Sequence, residues 1–125
     1  MDRTTRPVFL NPLLIRMPVG ALTSIGHRVS GIVLSVSLPF WLHLLGLSLR
    51  DERGFTQVDV LVTHWAVKTG LVLVVWALAH HVLAGIRHLL SDVDVGSTLH
   101  FARRTAYAVN LCGVAVALIA AVAVW

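Results

Sequence analysis

The stretch TGLVLVVWALAHHVLAGI, residues 69–86, decides how the rest of the chain is read. It contains no Asp, Glu, Lys or Arg. At about 1.5 Å rise per residue, roughly 20 helical residues cross a hydrocarbon layer about 30 Å thick, so this segment can span a membrane. The runs from Val29 to Leu49 and from Thr105 to Trp125 are slightly longer and equally free of charge. Buried helices of a water-soluble domain are the alternative, but three such lengths in 125 residues leave almost no polar sequence to cover them. The expected fold is an all-α membrane protein with three transmembrane helices. It forms one membrane-anchor domain over 1–125: an interfacial cytoplasmic segment over 1–18, then spans at about 20–49, 60–90 and 103–125.

Composition agrees. Hydrophobic residues make up 57% and charged residues 13%, and the mean hydropathy is +0.82, which excludes both a soluble monomer and a disordered chain. With Cys112 as the only cysteine, no internal disulfide can form. A pI near 10.7 raises nucleic acid, but the ten basic residues are scattered between apolar stretches and build no basic face. They report topology instead. Arg3, Arg6, Arg16, Arg28, Arg87, Arg103 and Arg104 fall on one side, against Arg50, Arg53 and Lys68 on the other. Cationic loops stay in the cytoplasm, so the N-terminus is expected there and the C-terminus in the periplasm. Trp65 and Trp125 then both lie near the outer boundary, where indole rings favour the interface. The segment before Val29, rich in arginine and proline, lacks the apolar core and cleavage site of a signal peptide.

Local signals refine this outline. Asn11-Pro12 reads as a helix cap with proline in the first turn, and Pro18 ends or redirects the short apolar piece after it. Pro39 should kink the first span and leave the Ser35 carbonyl without its usual donor. Asp51, Glu52, Arg53 and Gly54 read as a polar turn.

Ionisable groups at membrane depth are costly, so each needs a partner and is a candidate for function. Ser24, His27, Arg28 and Gly31, spaced i, i+3, i+4 and i+7, share one stripe at the cytoplasmic end of the first span. Arg28 can offer its guanidinium fork to a carboxylate or a carbonyl-rich ligand, or can snorkel to lipid headgroups beside a small-residue packing stripe. His80, His81 and His88, with Gly85 and Arg87, form a second cluster at the cytoplasmic end of the second span. His81 lies six residues inward from Arg87, about 9 Å of helix rise, deep enough to need a partner. Its stripe carries Ala77, Ala84 and Gly85, whereas His80 is flanked by Trp76 and Leu83. A flat macrocycle needs room, which favours His81 as an axial haem ligand; a hydrogen bond across a helix interface is the other reading. One open ligand position in this chain puts the second on another subunit. His43 and His64 read as packing or interfacial residues, and Cys112 as a small buried one.

The chain resembles the cytochrome b membrane-anchor family of succinate dehydrogenase, respiratory complex II. The likeness covers nearly the whole chain: Arg6-Pro7, then Ser24-Ile25-Gly26-His27-Arg28-Val29-Ser30-Gly31, then His81 through Gly85-Ile86-Arg87-His88-Leu89 and Asp92. It implies a three-span anchor in the bacterial inner membrane, paired with a second small anchor subunit and carrying an iron–sulfur protein and a flavoprotein. It also implies one haem b shared with the partner anchor, with His81 as axial ligand. His27, Arg28, Ala84, Gly85 and His88 would border the haem or its propionates, Ser24 and Arg28 would hold ubiquinone, and Asp92 would help proton uptake. FAD and iron–sulfur clusters would sit only on the partner subunits. Pro12, Ser91 and His80 depart from the family pattern, and the last leaves open whether His80 or His81 meets iron. A quinol:fumarate reductase anchor and a cofactor-free structural subunit are the competing readings. A small-solute channel is disfavoured, because three spans enclose little space.

Overall fold

The structure, a computed structural model, describes residues 16–125. Arg3, Arg6-Pro7 and the Asn11-Pro12 cap lie outside the described residues. Four helices follow in order: α1 (Val19–Ser48), α2 (Glu52–Val62), α3 (Trp65–Asp92) and α4 (Leu99–Val124). Helices α1, α3 and α4 are each long and apolar enough to cross a membrane, and no strand occurs among the described residues.

Each boundary has a local cause. Pro18 starts α1 from an extended conformation, its carbonyl accepting the amides of Ala21 (2.9 Å) and Leu22 (3.3 Å). His27 and Arg28 lie within its first turns, so α1 begins well before the charge-free run does. It continues as one helix through Pro39. The Asp51–Gly54 stretch, expected to be a turn, instead opens a helix. Asp51 is the N-cap of α2, its carboxylate accepting from the Gly54 amide at 2.6 Å. Residues 60–62 belong to this helix, and α3 starts only at Trp65. Gly54 is required by close approach, since a Cβ there would collide with the Leu47 carbonyl oxygen at the end of α1. His64 caps α3, its Nδ1 accepting from the Ala66 amide at 3.2 Å. At the other end, Asp94 takes a left-handed φ of 58°. The Val95 and Asp94 amides return to the carbonyls of Leu90 (2.9 Å) and Ser91 (3.1 Å), closing α3 with a Schellman motif.

Helix α3 packs against both α1 and α4. Apart from Leu44 on α1, the buried residues of these three helices are small or polar: Thr23 and Ser30 on α1, Ala77, His80 and Ala84 on α3, Ala106, Val109 and Gly113 on α4. Large side chains such as Val36, Ile119 and Val122 point outward. That distribution is the reverse of a water-soluble bundle. Lipid competes for apolar surface as well as another helix does, so helices associate through close backbone approach and polar contacts. Ties at both ends join α3 to α4. Arg87 Nε donates to Thr105 Oγ1 and Nη2 to the Ala102 carbonyl, each at 3.3 Å, while Lys68 Nζ donates to the Val124 carbonyl at 2.8 Å. The packing thereby gathers Arg28, Arg87, Arg103 and Arg104 towards one end of the bundle and Lys68 towards the other. Ala106 is fully buried. Replacing it with Leu should destabilise the bundle by about 1–3 kcal/mol through overpacking, measurable as a lower midpoint of thermal denaturation in mild detergent.

Candidate functional site

The N-terminal half of α1 lies against the C-terminal half of α3, and this contact brings the two histidine-bearing motifs together. His81 Nδ1 lies 3.0 Å from the His27 carbonyl oxygen and 3.2 Å from Ser30 Oγ. The Ser30 hydroxyl is itself committed to the His27 carbonyl at 2.8 Å. A carbonyl can only accept, so Nδ1 of His81 carries the hydrogen and Nε2 carries the lone pair. Among the described residues Nε2 makes no hydrogen bond. The His27 ring stacks on the His81 ring, with centroids 4.1 Å apart and planes 14° from parallel, and His88 approaches His27 at 5.3 Å. Glycine at 31 is a steric requirement of this arrangement. A Cβ there would sit 3.0 Å from His81 Cε1.

His81 opens onto a surface groove that it shares with Arg28, Gly31, Ile32, Ser35 and Val36. Arg28 is exposed on this side of α1, and Ser24, one turn earlier, is partly exposed. The Ser35 carbonyl lacks its i+4 amide donor because residue 39 is proline.

The other residues picked out from the sequence fall in different places. Gly85 adjoins His27 Nε2, where a Cβ would sit 3.4 Å away. Asp92 is exposed at the end of α3. Ala84 and Ala77 do not line the groove. Both are fully buried on the face of α3 that carries His80, so their small size lets helices approach rather than clearing space around His81. His80, adjacent to His81, turns into the bundle, where its Nε2 lies 3.1 Å from Asn110 Oδ1 on α4. Asn110 was not singled out from the sequence, nor was Ser30 given a role. The signal for Asn110 was present: it is the only side-chain amide in the third span, and an amide at that depth needs a partner.

Three helices long and apolar enough to cross a membrane, with an imidazole facing a groove bordered by Arg28, define an integral membrane subunit. Residues 2–122 match the family described as succinate dehydrogenase/fumarate reductase transmembrane subunit, and the chain belongs to that family. It is similar to the succinate dehydrogenase cytochrome b556 subunit of Coxiella burnetii, with 32% identity over 122 residues, covering 96% of this chain and 97% of the relative. The subunit of the same name from Paracoccus denitrificans is 29% identical over 119 residues, covering 95% and 92%. That of Rickettsia felis is 26% identical over 109 residues, covering 87% and 85%. The chain is a multi-pass inner-membrane subunit of a succinate dehydrogenase-type enzyme whose catalysis lies on other subunits.

The opposite hydrogen bonds of the two adjacent histidines give a direct test. Nitrogen NMR of the isotopically labelled, membrane-embedded complex should find the proton of His80 on Nε2, facing the Asn110 oxygen. A proton on Nδ1 of His80 would contradict the arrangement.

Proposed function

We propose that this chain carries haem b within the membrane and helps to build the site at which ubiquinone is reduced. The observation that carries the reading is the His81 imidazole, anchored at Nδ1 by the His27 carbonyl, with Nε2 unbonded among the described residues and the ring beside the Arg28 groove. A neutral imidazole offers iron one lone pair. Hydrogen bonding of its other nitrogen to a backbone carbonyl fixes the tautomer and ring orientation and raises ligand basicity. Among the described residues no group of three or more His, Cys, Asp or Glu is placed to hold a bare metal ion. A single imidazole suits iron that brings its own equatorial ligands in a macrocycle. The residues present therefore fit haem b. His81 would hold the iron from this side, and a second small anchor subunit would supply its other protein ligand. Arg28 and His27 neutralise a propionate, with Gly85 and His88 bordering the same region and Ala84 setting the helix spacing behind it. When bound, haem b supplies a one-electron redox centre. The name shared by the relatives, cytochrome b556 subunit, supports a b-type haem.

Ser24 and Arg28 hold the quinone. The Ser24 hydroxyl donates to a quinone carbonyl oxygen, and the Arg28 guanidinium stabilises the negative charge that develops there as electrons arrive. Asp92 passes protons inward through water. The end of the bundle bearing Arg28, Arg87, Arg103 and Arg104 faces the cytoplasm, where an iron–sulfur subunit and a flavoprotein dock and carry out the dicarboxylate chemistry. The whole chain acts as one anchor. The family description covers both reaction directions, and the succinate dehydrogenase names of the relatives favour succinate oxidation with ubiquinone as acceptor.

Two measurements test this reading. His81→Phe should abolish the b-type band in the dithionite-reduced minus oxidised spectrum of the purified complex; an undiminished band would refute His81 as ligand. Arg28→Leu or Ser24→Ala removes a hydrogen bond to a quinone oxygen that gains charge, about 1.5–3 kcal/mol, and should slow quinone reduction roughly 10- to 100-fold. Succinate oxidation by a soluble dye should persist in these variants, whereas equal loss of both activities would mean failed assembly.

A further inference from the structure

His80 on α3, Asn110 on α4 and Thr23 on α1 form a polar cluster that touches all three spans. His80 is only 4% exposed. Its ring is held between two glycines on different helices. A Cβ at Gly26 of α1 would sit 2.7 Å from His80 Cε1, and one at Gly113 of α4 would sit 3.5 Å from His80 Cβ and Cδ2. Trp76, one turn back on α3, packs against the same ring with centroids 5.6 Å apart. Asn110 Oδ1 faces His80 Nε2 at 3.1 Å and the fully buried Thr23 hydroxyl of α1 at 3.3 Å. The Thr23 hydroxyl also lies 3.0 Å from the Val19 carbonyl and 3.5 Å from the Ala106 carbonyl.

The stability of the bundle does not account for a histidine here. With Nε2 donating to Asn110, the Nδ1 lone pair of His80 is buried without a partner, a cost that an apolar residue of similar shape would avoid. A hydrogen bond supplies direction, which apolar packing does not. Successive residues on an α-helix are displaced by about 100° around its axis. Fixing His80 toward Asn110 therefore also fixes where His81 points, onto the His27 carbonyl and the Arg28 groove.

We propose that His80, Asn110 and Thr23 are positioning residues: a buried polar tie across α1, α3 and α4 sets the rotation of α3 and so aims His81 at the haem iron. This inference rests on the reading of His81 as the iron ligand. His80 locks the helix and its neighbour binds.

The test uses the membrane-embedded holoenzyme and reads the low-spin haem by its electron paramagnetic resonance g values and midpoint potential. Retained membrane-bound succinate-to-dye activity certifies assembly. Asn110→Leu and His80→Phe should each shift both readouts. The double variant, with both polar partners replaced by apolar groups, should recover thermal stability but keep the shifted signal. His80→Gln, whose amide can still donate to Asn110, should keep the wild-type signal. Unshifted single variants, or a double variant restored to the wild-type signal, would overturn the proposal and leave His81 as ligand untouched. Low-spin haem retained in His81→Phe but lost in His80→Phe would instead overturn the ligand reading, and this proposal with it.

Discussion

A hydrocarbon layer offers no hydrogen-bond partner, so every polar side chain that enters it must find one inside the protein. That constraint organises this molecule more strongly than apolar packing does. The buried set contains Thr23, Ser30 and His80 alongside alanines, Val109 and Gly113, while most large aliphatic side chains, Leu44 excepted, face outward. Ser30 is satisfied by the His27 carbonyl, His80 by Asn110, and Lys68, at the far end of the bundle, by the Val124 carbonyl. The exceptions are informative. Trp41 Nε1 and His80 Nδ1 stay buried without a partner, whereas Nε2 of His81 makes no hydrogen bond among the described residues while its other nitrogen is held in place.

The same backbone carbonyl serves two purposes at this point. His27 accepts from Ser30 and His81 through its main chain, while its ring stacks on His81. A substitution at position 27 therefore removes the stacking but not the carbonyl, so ring orientation depends on the α1 backbone as well as on side-chain identity. Gly31 completes the seat by leaving room for the imidazole. The motif running from Ser24 to Gly31 is thus a continuous support whose alternate sides serve different tasks. His27 and Ser30 face α3, while Arg28 lines the outer groove with His81.

Much of this was legible in the sequence, because the controlling signals are long or chemically rare. Charge-free stretches of bilayer-crossing length declare the spans, and an arginine or histidine near their ends is conspicuous. The short helix α2 was hidden, since Asp51 to Gly54 has turn-like composition; an aspartate followed by an acidic first turn is nonetheless a helix-start signal. In the sequence the small residues Ala77, Ala84 and Gly85 favour His81 over His80, yet the structure buries both alanines on the His80 side. What separates the histidines is a partner far along the chain, Asn110, and a contact between distant helices leaves no local spacing pattern to read.

Neighbouring residues divide the labour: His80 faces the bundle and His81 faces the groove in which the proposed haem would sit. A density map of the membrane-embedded complex that resolves side chains tests it most directly. It should show iron bonded to Nε2 of His81, with Nδ1 of that ring on the His27 carbonyl and His80 on Asn110. Iron bonded to His80, or His81 turned away from a haem held elsewhere, would contradict it.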